Sequence, residues 1–267
     1  MPGLLSAWFR RSGRDLEWRR TRDPYAVLVS EVMLQQTQVG RVREAYARFL
    51  KRFPTATALA RASLADVLRT WSGLGYNRRA RDLHRIARRH PRGIPRTVEA
   101  LDALPGIGAY TAAAVACFAH GTAVAFADTN IRRVLGRAVL GRAATEREAV
   151  AIDGRLMPRR RAAAWHHALM DVGAMFCRTR DPRCSECPLR QACRYRGGTE
   201  PARRRQSPFG ASDRRIRGAI VRALAIEPHT VAELRDLIGD HRVPRLVGVL
   251  ASEGLVDMAG VRVRLPA

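Results

Sequence analysis

Hydrophobic and polar positions recur at helical spacing through most of the chain. Asp23 followed by Pro24 predicts a helix start, because aspartate caps a helix N-terminus and proline fits its first turn. The apolar run PYAVLVSEVMLQQ then predicts one helix, and Thr37 is expected to cap the next. In that next helix the apolar residues fall on one face: Val39, Val42, Tyr46, Phe49, Leu50 and Phe53.

Further amphipathic helices are predicted at 63–72, 79–89 and 97–104, separated by turns that contain glycine or proline. No alternation typical of a strand occurs before about residue 255. The first two hundred or so residues are therefore expected to be almost entirely α-helical.

A segment rich in Gly, Pro, Ser and Arg at 196–213 predicts a linker. Beyond it, helices are expected at 214–226, 230–238 and 243–253, and LVDMAGVRVRLP at the end of the chain predicts a β-hairpin. Three helices and a hairpin suggest a winged-helix-like α+β domain at 214–267. Such a domain serves either DNA binding or protein contact and packing, and the sequence favours neither.

The composition of the chain indicates a polyanionic partner. The 267 residues include 48 Lys and Arg against 24 Asp and Glu, a net charge of +24. A balance this basic favours nucleic acid, although a GC-rich genome also raises arginine content. No apolar run is long enough for a membrane span, and the N-terminus lacks the pattern of a signal peptide. We therefore expect a cytoplasmic protein.

Four cysteines, Cys177, Cys184, Cys187 and Cys193, follow the spacing C-x6-C-x2-C-x5-C. Four thiolates so close in sequence favour a metal centre, with iron–sulfur ahead of zinc, because structural zinc sites more often pair two C-x2-C knuckles across a longer gap. Disulfides are not expected in a cytoplasmic chain. Cys117, in an alanine-rich helix, is interpreted as a core residue.

The turn LPGIG, residues 104–108, lies between two predicted helices. Gly106 and Gly108 permit a tight turn whose backbone N–H groups face outward at the start of the next helix, a geometry that binds phosphate. A plain helix connector has the same sequence. The basic, helical context favours the phosphate-binding interpretation.

Two carboxylates, Glu31 and Asp128, are candidates for catalytic groups. Glu31 lies in an otherwise uncharged, half-apolar helix, where its pKa would be raised and it would donate a proton. Asp128 stands where an apolar stretch meets a new helix and would remain ionised to stabilise a cationic sugar. Cleavage of a glycosidic bond needs two acids with these roles. The alternatives are an exposed helix acid for Glu31 and a simple N-cap for Asp128.

These segments together resemble the iron–sulfur helix-hairpin-helix (HhH-GPD, endonuclease III-like) DNA glycosylases, and among them the MutY adenine DNA glycosylases. The resemblance runs from about Leu4 to Cys193. It rests on the cysteine array and four segments: SEVMLQQTQV, GLGYNRRARDL, LPGIGAYTAAAV and DTNIRRVLGR. It implies a two-lobed, all-α catalytic region at 1–195, with a six-helix barrel at about 22–124 and an iron–sulfur lobe from 1–21 and 125–195.

The resemblance also implies roles for single residues. Glu31 would protonate adenine at N7, and Asp128 would stabilise the oxocarbenium-like sugar, with or without a covalent intermediate. Tyr110 and Asn130 would hold that carboxylate and the attacking water. Gln36 and Tyr76 would wedge into the base stack, Thr37 would contribute to recognition of the opposite base, and Trp18 and Arg19 would line the adenine pocket. The four cysteines would hold one [4Fe–4S] cluster.

Tyr110 stands where strand-nicking relatives have a lysine, and the single lysine of the chain, Lys51, lies in another helix. The resemblance therefore implies a monofunctional, monomeric enzyme that removes adenine opposite 8-oxoguanine or guanine in duplex DNA. Asp128-Thr129-Asn130 replaces the Asp-Gly-Asn common in the family, and the Nudix-like C-terminal domain of many members is missing, as in a shorter, actinobacterial-type branch.

Two other functions stay open at this point. A thymine or uracil mismatch glycosylase on the same scaffold would retain Asp128 and Tyr110 but would not need Glu31. A non-catalytic iron–sulfur regulator that binds DNA through its winged helix would need neither acid. The intact segment around Glu31 favours adenine.

Overall fold

The structure, a computed structural model, describes residues 1–198 and 208–267. The helices of its first hundred or so residues are α1 Pro2–Ser12, α2 Pro24–Leu34, α3 Val39–Arg52, α4 Ala56–Arg61, α5 Leu64–Thr70, α6 Arg78–Arg89 and α7 Val98–Asp102. The elements that follow are α8 Ala109–His120, α9 Thr129–Leu135, α10 Glu146–Leu156, α11 Ala162–Met175, α12 Asp213–Leu224, β1 His229–Thr230, α13 Val231–Ile238, α14 Val243–Ser252, β2 Asp257–Ala259 and β3 Arg262–Arg264.

The described residues form two compact units whose segments alternate along the chain. The first contains Met1–Asp23, Arg96–Asp102 and the described residues from Ile107 to 198. It therefore holds α1 and α7–α11. The second contains Pro24–Pro95, Ala103–Gly106 and the described residues from 208 to Ala267, with α2–α6, α12–α14 and the strands. Helix α8 thus lies in the first unit, and the predicted barrel at 22–124 stays a prediction.

The predicted helices form, with small differences at their ends. The prediction that Thr37 caps α3 is wrong: the N-cap is Gln38, and it caps without a side-chain hydrogen bond. The hydroxyl of Thr37 instead accepts a hydrogen bond from Arg79 Nη2 at 3.1 Å. The helix predicted at 97–104 spans only Val98–Asp102, with Thr97 Oγ1 accepting the Ala100 N–H.

Close helix contacts define the first unit. Helix α11 packs against both α1 and α9. Gly173 permits the α9 contact, because a Cβ built there would lie 2.6 Å from the Cβ of Asn130. After α9 the chain continues through a π-helical turn at Gly136–Leu140, and a Cβ on Gly136 would lie 2.5 Å from the backbone nitrogen of Ala144. Both positions therefore require glycine.

The second unit has an aromatic core. Phe49 on α3 meets Phe53 and Trp71 edge to face, with ring centroids 5.1 and 5.8 Å apart. Helix α2 packs on α3 and α6, and α4 and α5 also pack on α6. Helix α2 buries every residue from Tyr25 to Met33, which is why its sequence is apolar on all sides.

The C-terminal segment of this unit has the predicted three helices and hairpin. Its antiparallel sheet has the order β1-β3-β2, with Val263 paired to both His229 and Met258. The two-residue strand β1 was not predicted, because two residues give no alternating pattern. The predicted linker at 196–213 lies partly outside the described residues, at 199–207. The remainder includes a 3₁₀ turn at Phe209–Ala211 and the first residue of α12.

No helix in the ranges 1–198 and 208–267 is long and apolar enough to cross a membrane.

Candidate active site

Asp128 and Asn130 form a compact hydrogen-bonded pair at the start of α9, in the first unit. Asp128 is the N-cap of the helix, and its Oδ1 accepts the N–H groups of Asn130 at 2.9 Å and Ile131 at 2.7 Å. The Asn130 amide donates to the other carboxylate oxygen at 3.0 Å. The carboxylate is therefore fixed in position by three donors.

Burial and hydrogen bonding act on Asp128 in opposite directions. Burial raises the pKa of Asp128, because removal of water disfavours the charged form. The donors from Ile131 and Asn130 and the charge of Arg133 lower that pKa, but they offset the burial only in part. Asp128 therefore holds its proton more readily than a solvated aspartate, although the sequence argument treated it simply as ionised.

Arg133 connects this pair to the cysteine segment. One turn along α9, its Nη2 donates to Asn130 Oδ1 and to the carbonyl oxygen of Gly173, both at 2.7 Å. Its Nε donates to the carbonyl oxygen of Cys177 at 2.5 Å. The sequence analysis did not single out Arg133. Its position three residues after Asn130, on the same helix face, was the available signal.

Tyr110, on the first turn of α8, belongs to an aromatic cluster that includes Phe126, two residues before Asp128. Its ring meets that of Phe126 edge to face at 5.6 Å, and Phe126 stacks on His166 at 3.8 Å. The buried carboxylate of Asp153 accepts from His166 Nε2 at 2.9 Å, from the Phe126 N–H at 3.2 Å and from Trp165 Nε1 at 2.6 Å. This network fixes the strand-like segment that leads into Asp128.

Arg19, expected in the adenine pocket, is paired with a buried acid that the sequence analysis missed. Its guanidinium donates two parallel hydrogen bonds to Asp171, at 2.9 and 2.8 Å, and Arg14 adds Nε and backbone donors at 2.6 and 2.8 Å. Burial opposes ionisation, but Arg19 and Arg14 outweigh it and lower the pKa of Asp171. The available signal for Asp171 was its place as an acid in the otherwise apolar helix α11, the same kind of signal that identified Glu31. Trp18 is buried beside Arg19 in the chain.

Next to this pair, His167 lies among aromatic rings. It stacks on Phe118 at 4.2 Å and lies 6.5 Å from Phe9. Burial and the charge of Arg19 hold the pKa of His167 well below its ordinary value, so the imidazole is neutral at physiological pH. A neutral ring can donate one hydrogen bond and accept another.

Glu31 lies in the second unit, on α2. It is 7 % exposed and belongs to the fully buried stretch of that helix. Burial among apolar residues is the environment that the sequence predicted for it.

The loop after α2 carries Gln36 and Thr37, and the turn before α6 carries Tyr76. Both Gln36 and Tyr76 adopt left-handed backbone conformations, with φ of 56° and 50°, which non-glycine residues rarely adopt. Such strain is typical of functional loops. Tyr76 is 37 % exposed.

Arg79 holds these two loops together. Its Nη1 donates to the carbonyl oxygens of Val32 and Met33, both at 2.9 Å, and of Gln35 at 2.5 Å. Its Nη2 reaches Thr37 and the Leu74 and Gly75 carbonyls, at 3.1 to 3.2 Å. Burial lowers the pKa of Arg79 to about 10. The sequence analysis quoted this arginine in a motif but assigned it no role.

The LPGIG turn has the predicted tight geometry. Gly106 has a φ of 75°, and a Cβ there would lie 3.0 Å from Asp82 Oδ2, so glycine is required. Gly108 is the N-cap of α8 and provides no side-chain cap.

The four cysteines of the 177–193 segment are free thiols that lie close enough to influence one another. Burial raises the pKa of Cys187 to about 11, and the neighbouring charges of Cys177, Cys193 and Cys184 add to the rise. The buried Arg137, on the π-helical turn, donates to Cys177 Sγ at 3.6 Å, and its carbonyl oxygen lies 3.6 Å from Cys193 Sγ. The guanidinium also lies over the Tyr195 ring, 4.6 Å from its centroid.

A family model described as HhH-GPD superfamily base excision DNA repair protein matches residues 29–158. The chain is 44% identical over 246 residues to the adenine DNA glycosylase of Mycolicibacterium smegmatis, covering 87% of this chain and 84% of that protein. It is 45% identical over 245 residues to the adenine DNA glycosylase of Mycobacterium tuberculosis, covering 86% and 81%. The chain belongs to the adenine DNA glycosylase family.

Among solved structures, the chain is similar to a thermostable thymine-DNA glycosylase, with a TM-score of 0.66 and 28% sequence identity over 73% of this chain and 94% of that one. This likeness confirms the predicted all-α HhH-GPD fold. The predicted membership of the adenine DNA glycosylases within that superfamily is confirmed as well.

Members of this family usually carry an iron–sulfur cluster, and the cysteine segment has the chemistry for one. In the described ranges, no three His, Cys, Asp or Glu side chains converge on a point where a single metal ion would be held. The four thiols are nevertheless mutual neighbours, and Arg137 supplies a positive charge that favours thiolates. Four cysteine thiolates are a ligand set that such a cluster uses.

Proposed function

We propose that the chain is a base-excision-repair DNA glycosylase that hydrolyses the N-glycosidic bond of adenine paired with 8-oxoguanine or guanine. The observation that carries the proposal is the buried position of Glu31 on α2, in a chain whose relatives are named adenine DNA glycosylases. A purine base leaves readily only when a proton is delivered to its ring. A carboxyl group shielded from water suits that task.

The reaction needs one proton donor and one anion. Glu31 protonates adenine at N7, the bond between N9 and C1′ breaks, and its electron pair leaves with the base. Asp128 stabilises the positive charge that develops on the sugar. Water held by Asn130 and Tyr110 adds to C1′ and loses a proton to regenerate the acid. The products are adenine and an abasic site.

Three further residues complete the proposal. Trp18 and Arg19 line the adenine pocket, and the bidentate pair with Asp171 fixes the Arg19 guanidinium. Tyr110 offers no amine for a Schiff base, so the enzyme is monofunctional.

The assigned DNA contacts lie in the second unit and at the start of α8. Gln36 and Tyr76 enter the base stack when adenine is extruded, offsetting the few kcal/mol needed for unstacking, and Thr37 contributes beside them. Gly106 and Gly108 present backbone N–H groups to a phosphate.

We also propose that Cys177, Cys184, Cys187 and Cys193 hold one [4Fe–4S] cluster. The cluster would supply a structural crosslink, and the exposed arginines of the same segment, among them Arg180 and Arg183, would contact DNA. The catalytic region would span 1–195, with 214–267 as an attached winged-helix-like domain. The enzyme would act as a monomer on duplex DNA in the bacterial cytoplasm, at the nucleoid.

The first experiment is single-turnover base release from four labelled duplexes: A:8-oxoguanine, A:G, T:G and U:G. Adenine release with strand breaks only after alkali supports the proposal. Release from T:G or U:G alone would instead make the chain a pyrimidine mismatch glycosylase, the function named for the similar solved structure. No release from any duplex, by protein that contains its cluster, would favour a non-catalytic DNA-binding regulator.

Two conservative variants test the acids. Glu31→Gln and Asp128→Asn each remove a proton donor or a charge at nearly constant volume, and asparagine remains a good N-cap for α9. Each should lower single-turnover adenine release at least about 100- to 1000-fold with little change in the unfolding temperature. Asp66→Asn, a half-buried acid on α5, is the matched control and should release adenine at the wild-type rate. Wild-type rates from Glu31→Gln would contradict the assignment.

Iron and acid-labile sulfide analysis tests the cluster. The wild-type chain should contain four irons and four sulfides, and Cys187→Ser should lose most of both. The buried Cys117→Ala variant controls for general loss of a thiol and should retain the wild-type content. Stoichiometric zinc without sulfide would overturn the assignment.

A further inference from the structure

The second unit contains a cavity of about 660 Å³ between the glycosylase loops and the C-terminal segment. One wall consists of the loop 35–38 and the turn 73–79, which carry the proposed wedge residues Gln36 and Tyr76. The other wall is one side of α12 along its length, with Phe209 before the helix and Ala225 after it. We call this space the α12 cleft. Its volume is in the range that accommodates small ligands and nucleotides.

The α12 cleft is strongly basic. Six arginines line it and no acidic residue does, among the residues that the structure describes: Arg41, Arg78, Arg79, Arg214, Arg217 and Arg222. Three of these six have partners within the protein: Arg79 donates to loop carbonyls, Arg217 pairs with Glu253 at 2.5 Å, and Arg214 donates to Tyr76. Arg41, Arg78 and Arg222 have exposed side chains.

Direct contacts fix the position of α12 in this unit. Arg69 Nε on α5 donates to the carbonyl oxygen of Ala225 at 3.0 Å, just after α12 ends. Arg81 on α6 donates to the carbonyl oxygen of Glu253, and the backbone N–H of Ala65 donates to that of Pro266 at 2.9 Å. These contacts hold the C-terminal segment, and α12 with it, against α5 and α6.

One contact joins the two walls inside the α12 cleft. Arg214 Nη1 donates to the hydroxyl oxygen of Tyr76 at 3.0 Å. Tyr76, like Gln36, has a strained left-handed backbone conformation. The first turn of α12 thus touches the side chain that is proposed to enter the base stack.

We propose that the α12 cleft binds the phosphodiester backbone of DNA beside the mispair, and that Arg214 and Arg222 of α12 contact its phosphates. The inference rests on the proposed function. Guanidinium groups suit this ligand because their paired N–H donors match two phosphate oxygens. The C-terminal segment therefore grips DNA through α12, on the side of the wedge residues, and the β2–β3 hairpin is not its DNA-binding surface.

Two double variants with the same change in net charge test the proposal. Arg214→Ala/Arg222→Ala removes the α12 contacts, and Arg262→Ala/Arg264→Ala removes the exposed arginines of β3. Affinity is measured against NaCl concentration for a duplex with a stable abasic-site analogue opposite 8-oxoguanine, so that no chemistry is needed. Because each phosphate contact contributes about 0.9 to the slope of log affinity against log salt, the α12 double variant should lose about 1.8 of the slope. Its affinity should fall at least about tenfold at 0.15 M salt.

The matched hairpin variant should bind within about threefold of wild type with its slope retained, because only site contacts release counterions. Arg222→Ala alone, which leaves Tyr76 and its partner intact, should lose about half the slope change. An equal loss in both double variants would mean a general charge effect, and a larger loss in the hairpin variant would place DNA on the β3 side. Either result overturns the proposal.

Base release separates this proposal from the proposed function. At saturating enzyme, the α12 double variant should release adenine from A:8-oxoguanine and A:G in the wild-type ratio, because a backbone contact carries no base information. If the ratio of the two release rates changed while the salt slope did not, α12 would contact bases instead of phosphates. That result would refute the proposal. If the wild-type chain releases no adenine, the proposed function fails, while the salt slopes still report on the α12 cleft.

Discussion

The two units use charge in different ways. The first buries charged groups against hydrogen-bonding partners: Asp153 and Asp171 are both 0% exposed, and Arg137 is 2% exposed. The second leaves arginines such as Arg41 and Arg222 at the surface around a cleft. A buried charge that loses its partner costs several kcal/mol, whereas an exposed one moves freely and acts through long-range attraction. The buried charges of the first unit thus hold side chains in fixed positions, whereas the exposed arginines around the cleft of the second unit attract a negatively charged partner.

Asp171→Asn, in the first unit, should have the largest effect on stability. The variant removes the negative charge that receives four donors from Arg14 and Arg19, so two guanidinium groups lose their counter-charge. We expect the free energy of unfolding in urea to fall by about 3–5 kcal/mol. The exposed Arg222→Ala variant should change it by less than about 0.5 kcal/mol. Similar losses in the two variants would show that burial does not distinguish the units in this way.

Gly173→Ala should disturb the Asp128 site by sterics alone. The added Cβ would lie 2.6 Å from the Cβ of Asn130, so α9 and α11 must move apart. We expect a loss of about 1–3 kcal/mol in the free energy of unfolding. Single-turnover adenine release should fall about 10- to 100-fold, because Asn130 is displaced.

Gly154→Ala on α10 is the matched control for that substitution. Its Cβ would meet only the Cβ of Ala125, at an ordinary 3.6 Å. Since alanine favours a helix interior, we expect a gain of about 0.5–1 kcal/mol with normal base release. A comparable loss in both variants would contradict the steric explanation.

Much of this architecture could be predicted from the sequence. The apolar pattern predicted α2, α3, α6 and the C-terminal helices, and it predicted a buried Glu31. Pairings between distant residues could not be predicted in the same way. Arg14 and Asp171 lie 157 positions apart, and no local pattern indicates which of the 47 arginines meets which acid. The contacts of Arg79 and Arg133 were also not predicted. Their partners are mostly backbone carbonyls, and every residue type has a backbone carbonyl.

Arg133→Gln tests how a charge in the first unit acts on Asp128, and the measurement is the pH dependence of activity. The positive charge of Arg133 favours the ionised form of Asp128 and so lowers its pKa, and its removal should raise that pKa further. Since Asp128 must be ionised to stabilise the sugar cation, the acid limb of the rate profile should move to higher pH. Loss of the Asn130 contact should also lower the rate at pH 7 about 10-fold. A slower variant with an unmoved acid limb would limit Arg133 to a structural role.

The smallest expected effects concern two capping boxes, one in each unit. Thr145 and Glu148 cap α10, and Thr230 and Glu233 cap α13. Hydrogen bonding to Arg142 and Thr145 lowers the pKa of Glu148 to about 2, whereas Glu233 is lowered mainly by the Thr230 N–H. Because both folded-state values are depressed, the stabilisation is present above the ordinary carboxyl pKa and disappears as pH falls below it.

Melting temperatures of Glu148→Gln and Glu233→Gln between pH 7 and pH 3 check this. Both should melt below wild type at pH 7, with the larger decrease for Glu148→Gln, which also loses the ion pair with Arg142. The differences should shrink as the pH falls through the ordinary carboxyl pKa, because the unfolded wild-type chain then takes up protons that the folded chain does not. A difference that stays constant over this range would exclude ionisation as its cause.

The alternation of the two units along the chain has a consequence for biosynthesis. Helix α1 is translated first, but its partner α11 ends at Met175. At about 5–20 residues per second, Asp171 is made roughly 8–30 s after Arg14, longer than most elementary folding events take. Residues 24–95, by contrast, are made in one continuous stretch and hold α2–α6 of the second unit. The N-terminal helix is therefore among the first elements to be made and among the last to dock.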